Sequence, residues 1–191
     1  MGEPKYKQNA PLISLIVFLL VSGCLAEIPE IIIDPVPTEE GWRAYSVVSP
    51  VDTGINPYHV HFQTNDTLPS WFLDDFGVTL ICNLSDEGSW EERVEADRES
   101  CWNKITYDDI VYFEGTRIIG AMGEEGWSET PILDDPNDGH GTAVTGAVLN
   151  GNPDAVIFFL EGFGGVRRAA EHPMVDVITT SFGPIASVPV S

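Results

Sequence analysis

His140 is the residue on which chemistry is most readily built. It stands between Gly139 and Gly141, and Thr142, Ala143, Val144, Thr145 and Gly146 follow it, all small. The spacing predicts a helix with the ring in its first turn. Ala143 and Ala147, like Val144 and Val148, recur every four residues and are expected on its buried face, with Thr142, Thr145 and Gly146 small enough to be enclosed as well. A structural histidine has little use for glycine on both sides, whereas a general base needs an exposed ring edge on a rigid mount. The positive end of a helix disfavours the imidazolium that such a base becomes, so a carboxylate has to compensate. Asp52, in Asp52-Thr53-Gly54 after a strand-like run at 43–48, is the candidate. From the carboxyl end of a strand it would accept the Nδ1–H of His140, fix the tautomer and stabilise the charged ring. A plain turn-forming Asp is the alternative.

The elements that must carry these groups alternate. After the strand at 43–48, the sequence at 64–109 loses periodicity and gains charge and tryptophan, and reads as an elaborated excursion with a strand near 78–82. Strand character returns at 110–113 and 117–121. Beyond the helix of His140 come an apolar strand at 155–160, a short helix at 166–172 and a second buried-looking strand at 175–180. Such alternation predicts an α/β domain with a mainly parallel sheet and crossover helices.

Other groups suit chemistry less well. His59 and His61 would share one face of a strand and could bind metal, but no carboxylate or cysteine cluster accompanies them. Asp134, Asp135 and Asp138 lack the spacing of an EF-hand loop and read as loop and cap residues.

The balance of the chain bounds its partners and location. Its 191 residues allow one ordinary domain, and Asp+Glu 30 against Lys+Arg 9 gives a net charge of -21. That excess argues against nucleic acid or an anionic surface as partner and suits solubility. Lys5 and Lys7 precede an apolar run at 12–21, too short to span a bilayer comfortably, which ends in Val21-Ser22-Gly23-Cys24. This resembles a signal peptide at 1–23 with the lipobox of prokaryotic lipoproteins, implying lipidation of Cys24 and a membrane anchor. An ordinary signal peptide or an uncleaved anchor is the alternative. Either way the remainder is expected outside the cytoplasm, with 24–42, rich in Pro and acid, as a tether. Cys82 and Cys101 are then an even pair expected to form a disulfide, worth roughly 3 kcal/mol in the chain-entropy model. The sequons at Asn65 and Asn83 fit a surface location.

Three motifs in order carry a family resemblance: Asp52-Thr53-Gly54, then Gly139-His140-Gly141-Thr142, then Val175-Asp176-Val177-Ile178 running to Ser181-Phe182-Gly183. Their order resembles that of subtilisin-like serine proteases, in which the triad follows the order Asp, His, Ser. The resemblance implies a three-layer subtilisin-like fold over 43–191, with 64–109 as an insertion and the sheet incomplete on its C-terminal side. It implies Asp52 and His140 as catalytic residues and Ser181, Phe182 and Gly183 as the strand end that pairs with an extended peptide or protein substrate. Phe182 replaces a smaller aliphatic residue and is expected to narrow a subsite. His59 falls where the family often carries a structural histidine. No cofactor is required; Ca2+ enters only as a structural ion, which Asp134, Asp135 and Asp138 could hold.

The Gly-Thr-Ser-x-Ala segment that bears the nucleophile, and the oxyanion Asn, do not occur in these 191 residues. Ser187 and Ser191 lack its flanking residues. The chain as written is therefore expected to be close to inactive. It is read as the amino-terminal part of a serine endopeptidase, or alternatively as a non-catalytic peptide-binding or scaffold lipoprotein.

Overall fold

The computed structural model describes residues 45–124, 131–134 and 139–181. The expected signal peptide, Cys24, the tether, Asp135, Asp138, Phe182, Gly183, Ser187 and Ser191 lie outside them. The elements in chain order are β1 (Val47–Asp52), α1 (Ser70–Phe76), β2 (Leu80–Asn83), α2 (Trp90–Asp97), β3 (Val111–Glu114), β4 (Ile118–Met122), α3 (His140–Gly151), β5 (Val156–Glu161), α4 (Gly165–Glu171) and β6 (Val177–Thr180). The strands form one six-stranded sheet in the order β2-β3-β4-β5-β1-β6. Every pairing is parallel except β3 with β4. The chain is thus α/β with a mostly parallel sheet.

The sequence of β5, Val-Ile-Phe-Phe-Leu-Glu, explains its place near the middle, because an uninterrupted apolar strand must be covered on both faces. Ile157 and Phe159 join Ile55, Phe113, Ile118, Leu149 and Trp102 on one side. Val156, Phe158 and Leu160 join Val51, Ile119, Phe72, Phe76 and Ala169 on the other. α2 and α3 pack on the first face and α1 and α4 on the second, since Val94 and Leu149 belong to one cluster and Phe72 and Ala169 to the other.

β1 runs further than the sequence suggested. The expected strand at 43–48 gives way to one that continues through Pro50 to Asp52, although proline in an inner strand removes a ladder donor. The alternation of bonds between β1 and β5 brings the missing Pro50 N–H opposite the Phe158 carbonyl. The Ser49 hydroxyl donates to that carbonyl instead, at 2.8 Å. Asp52 is therefore the last residue of an inner strand, in register with Glu161 of β5.

The excursion at 64–109 is built into the domain, contributing β2, two helices and part of the core. α2 begins with a capping box in which the Ser89 side chain accepts from the Glu92 amide and Glu92 accepts from the Ser89 amide, which holds its carboxyl below its ordinary value. Cys82 and Cys101 are bonded, with Cα atoms 5.3 Å apart, as expected from their pairing. A buried polar network ties the excursion to the loop after β1. The Tyr58 hydroxyl donates to Asp97 at 2.8 Å and accepts from Trp102 Nε1 at 2.9 Å. Asp97 also accepts from the Ser85 amide at 2.8 Å and the Ser85 hydroxyl at 2.6 Å. Burial and the bond to Asp97 push the Tyr58 hydroxyl well above its ordinary range, so the network keeps its proton.

Two expectations about surfaces are corrected. In α3 the buried stripe is Gly141, Thr145 and Leu149, while Ala143 and Ala147 are exposed. The close approach of the helix to β1 at Gly141 decides which stripe turns inward. Among the described residues β6 pairs with β1 alone, and Val177 is 53% exposed, so the buried strand expected at 175–180 is half open.

Candidate functional site

Asp52, Met122, Glu161 and Thr180 end four neighbouring strands on one side of the sheet, with Asp52 in register beside Glu161. In parallel sheets this carboxyl edge is where sites assemble. His140 opens α3 directly above it.

The helix reaches this position through small residues. Gly139, at φ 62°, turns the chain into α3 from the left-handed region, where glycine is at ease. A Cβ on Gly141 would stand 2.0 Å from the Gly54 carbonyl oxygen and 3.1 Å from Asp52 Cβ. Gly54 in turn lies against the backbone of Asp134, where a Cβ would meet Cα at 2.6 Å. The glycines of both motifs are therefore contact surfaces, and they let the helix start close upon the strand end.

The result is a direct pair. His140 Nδ1 lies 2.6 Å from Asp52 Oδ1; the histidine side chain is 46% exposed and the aspartate side chain 0%. Where the carboxylate is ionised it can only accept, and the ring then donates to it from Nδ1. Oδ1 of Asp52 also accepts from the Thr53 amide at 2.8 Å and the Thr53 hydroxyl at 3.3 Å. With one nitrogen held on a buried carboxylate and the side chain 46% exposed, the arrangement can take and return a proton.

Around the pair lies a clamp that sequence reading missed. Gly139, as N-cap, has no side chain to satisfy the first amides of α3. Asp134 satisfies one of them from a distance, its Oδ2 accepting from the Thr142 amide at 3.0 Å and the Thr142 hydroxyl at 2.7 Å. The same hydroxyl accepts from the Asn56 amide at 2.9 Å, tying the loop after Asp52 to the helix of His140. Asp134 was expected as a loop or cap residue, and it caps. Glu161, by contrast, was not singled out. It is 7% exposed and accepts from the Ile132 amide at 2.7 Å, and burial pushes its carboxyl above the ordinary value. The available signal was a carboxylate closing an otherwise apolar strand.

The remaining candidates fall elsewhere. Ser181 follows β6 and is exposed, one strand away from Asp52. His59 and His61 do not share a strand face: His59 caps a 3-10 turn at Val60–Phe62 and His61 lies within it, the His59 side chain accepting from the His61 amide at 3.3 Å. Both line an open groove of about 770 Å³ against Ala143, Gly146 and Ala147 of α3. Among the described residues no group of three or more His, Cys, Asp or Glu is arranged to hold a metal ion, and no helix is long and apolar enough to cross a membrane. Compared with known protein families, curated proteins and solved structures, the chain has no match.

Proposed function

We propose that the chain carries the base and its orienting carboxylate of a subtilisin-like serine endopeptidase, tethered outside the cytoplasm through Cys24. The observation that carries this reading is the 2.6 Å contact between His140 Nδ1 and buried Asp52. In that role His140 Nε2 removes the proton from a serine hydroxyl as its oxygen attacks the scissile carbonyl. The proton then passes to the leaving amine, the peptide C–N bond breaks, and an acyl-enzyme remains for water to hydrolyse. Asp52 stays ionised throughout and stabilises the imidazolium. Ser181, Phe182 and Gly183, which follow β6 in the chain, would meet an extended substrate through main-chain bonds. The nucleophile of such an enzyme would sit in a Gly-Thr-Ser-x-Ala segment, which these 191 residues do not contain.

Sequencing the coding DNA past the codon for Ser191, and expressing what it encodes, tests this. The expected product contains that segment, is labelled by a fluorophosphonate and cleaves unfolded protein. Asp52→Asn should lower kcat about 10⁴-fold, and His140→Ala should abolish labelling. The 191-residue chain itself should stay unlabelled. A stop codon after Ser191, with peptide binding but no hydrolysis, would establish the non-catalytic alternative.

A further inference from the structure

The geometry points to Glu161 as a positioning residue for the His140–Asp52 pair, acting through the segment Ile132–Asp134 that seats α3. This rests on reading the pair as a general base and its orienting carboxylate. Glu161 ends β5 in register with Asp52, yet its carboxylate reaches neither His140 nor any cation among the described residues. It accepts instead from the Ile132 amide at 2.7 Å. Ile132 is the one described non-glycine residue with positive φ, at 72°, and its side chain is fully buried. A β-branched residue holds such a conformation only where its surroundings impose it.

What Ile132 gains there is the direction of the chain that follows. Its carbonyl accepts from the Ile55 amide at 2.7 Å, and the Ile55 carbonyl accepts from the Asp134 amide at 3.1 Å. Asp134 then grips Thr142 by amide and hydroxyl, at 3.0 and 2.7 Å. Thr142 lies two residues beyond His140 in the first turn of α3. A continuous set of bonds thus runs from Glu161 through a strained residue to the helix that aims the ring. Without the acceptor, the Ile132 amide would be buried and unpaired, φ would relax to negative values, and Asp134 would swing away from Thr142.

The tautomer of His140, read from imidazole 15N shifts of the full 191-residue chain at about pH 8, reports this positioning independently of any nucleophile. The wild-type ring is expected to be mainly Nδ1–H, and Glu161→Gln, which keeps an acceptor oxygen, should leave it so. Glu161→Leu should turn it to mainly Nε2–H with far-UV dichroism retained. Adding Ile132→Gly should restore Nδ1–H, because glycine adopts the positive φ unaided. Should E161L not fold, E161D, whose carboxylate falls short of the amide, is expected to give the same loss and the same rescue. A merely structural Glu161 would lower the unfolding midpoint and leave the tautomer unchanged, and an unchanged tautomer in E161L or E161D overturns the proposal. A wild-type ring that is mainly Nε2–H overturns the reading of the pair itself.

Discussion

Asp52 and Glu161 end neighbouring strands in register, yet their carboxylates meet different surroundings. Oδ1 of Asp52 draws His140 Nδ1, the Thr53 amide and the Thr53 hydroxyl. Glu161 has, among the described residues, the Ile132 amide alone, and burial outweighs that bond, so its carboxyl sits above the ordinary value. The folded protein therefore holds this proton more tightly than the unfolded chain does. That contribution to stability is complete below the unfolded value of about 4.3 and is lost as pH rises through the raised folded value. Replacing the group by an uncharged one that still accepts from Ile132 should remove the loss. Glu161→Gln is expected to unfold at a higher urea concentration than wild type at about pH 7 and at nearly the same concentration at about pH 4. An advantage of equal size at both pH values would mean that the charge of Glu161 costs the fold nothing.

For the elements, the decisive contact is the seat of α3 on the end of β1. A methyl group on Gly141 would stand 2.0 Å from the Gly54 carbonyl, and backbone cannot yield as a flexible side chain can. Gly141→Ala is expected to lift the first turn, destabilise the protein by about 1–3 kcal/mol and release His140 from Asp52. Gly151→Ala, at the far end of the same helix with open space around it, should cost nothing or give a small gain. Urea midpoints and the His140 tautomer check both variants; a G141A protein with wild-type tautomer would show that the close approach is dispensable. The same contact explains what could be read in advance. The Asp52–His140 pair was legible because its glycines lie in sequence beside the groups they serve. The inward stripe of α3 was not, because Ala143, Ala147, Val144 and Val148 make a repeat as regular as Gly141, Thr145 and Leu149, and only contact with Gly54 chooses between them. Pro50 hid the last part of β1, since the Ser49 hydroxyl that replaces its missing donor has no sequence signature. Ile132 and Glu161 are joined by a hydrogen bond across 29 residues, which no local pattern records.

Taken as a whole, the molecule folds against its own charge. Of 39 charged side chains, 30 are acidic and 9 basic, and several of the few cations serve the backbone rather than a carboxylate. Arg93 donates to the carbonyls of Ser85 and Tyr58. Arg168 donates to those of Tyr107, Met122 and Asp109 and stacks 5.4 Å over the Tyr107 ring, pinning α4 to the excursion and to the end of β4. The ion pairs Arg98–Glu95 and Arg167–Glu171 are exposed and close within single helical turns, so they contribute little. Repulsion among the surplus carboxylates is therefore weakly offset, and it is relieved more in the expanded unfolded chain than in the folded one. Screening should favour the compact state, because the Debye length falls from about 10 Å at 0.1 M salt to about 3 Å at 1 M. The unfolding temperature is expected to rise over that range by roughly 2–4 °C, the equivalent of about 1 kcal/mol for a chain of this size. Sodium chloride suits the test, since sulfate would strengthen apolar burial by exclusion and blur the cause. A midpoint that falls with added chloride would show that attractive pairs, not surplus charge, dominate the surface.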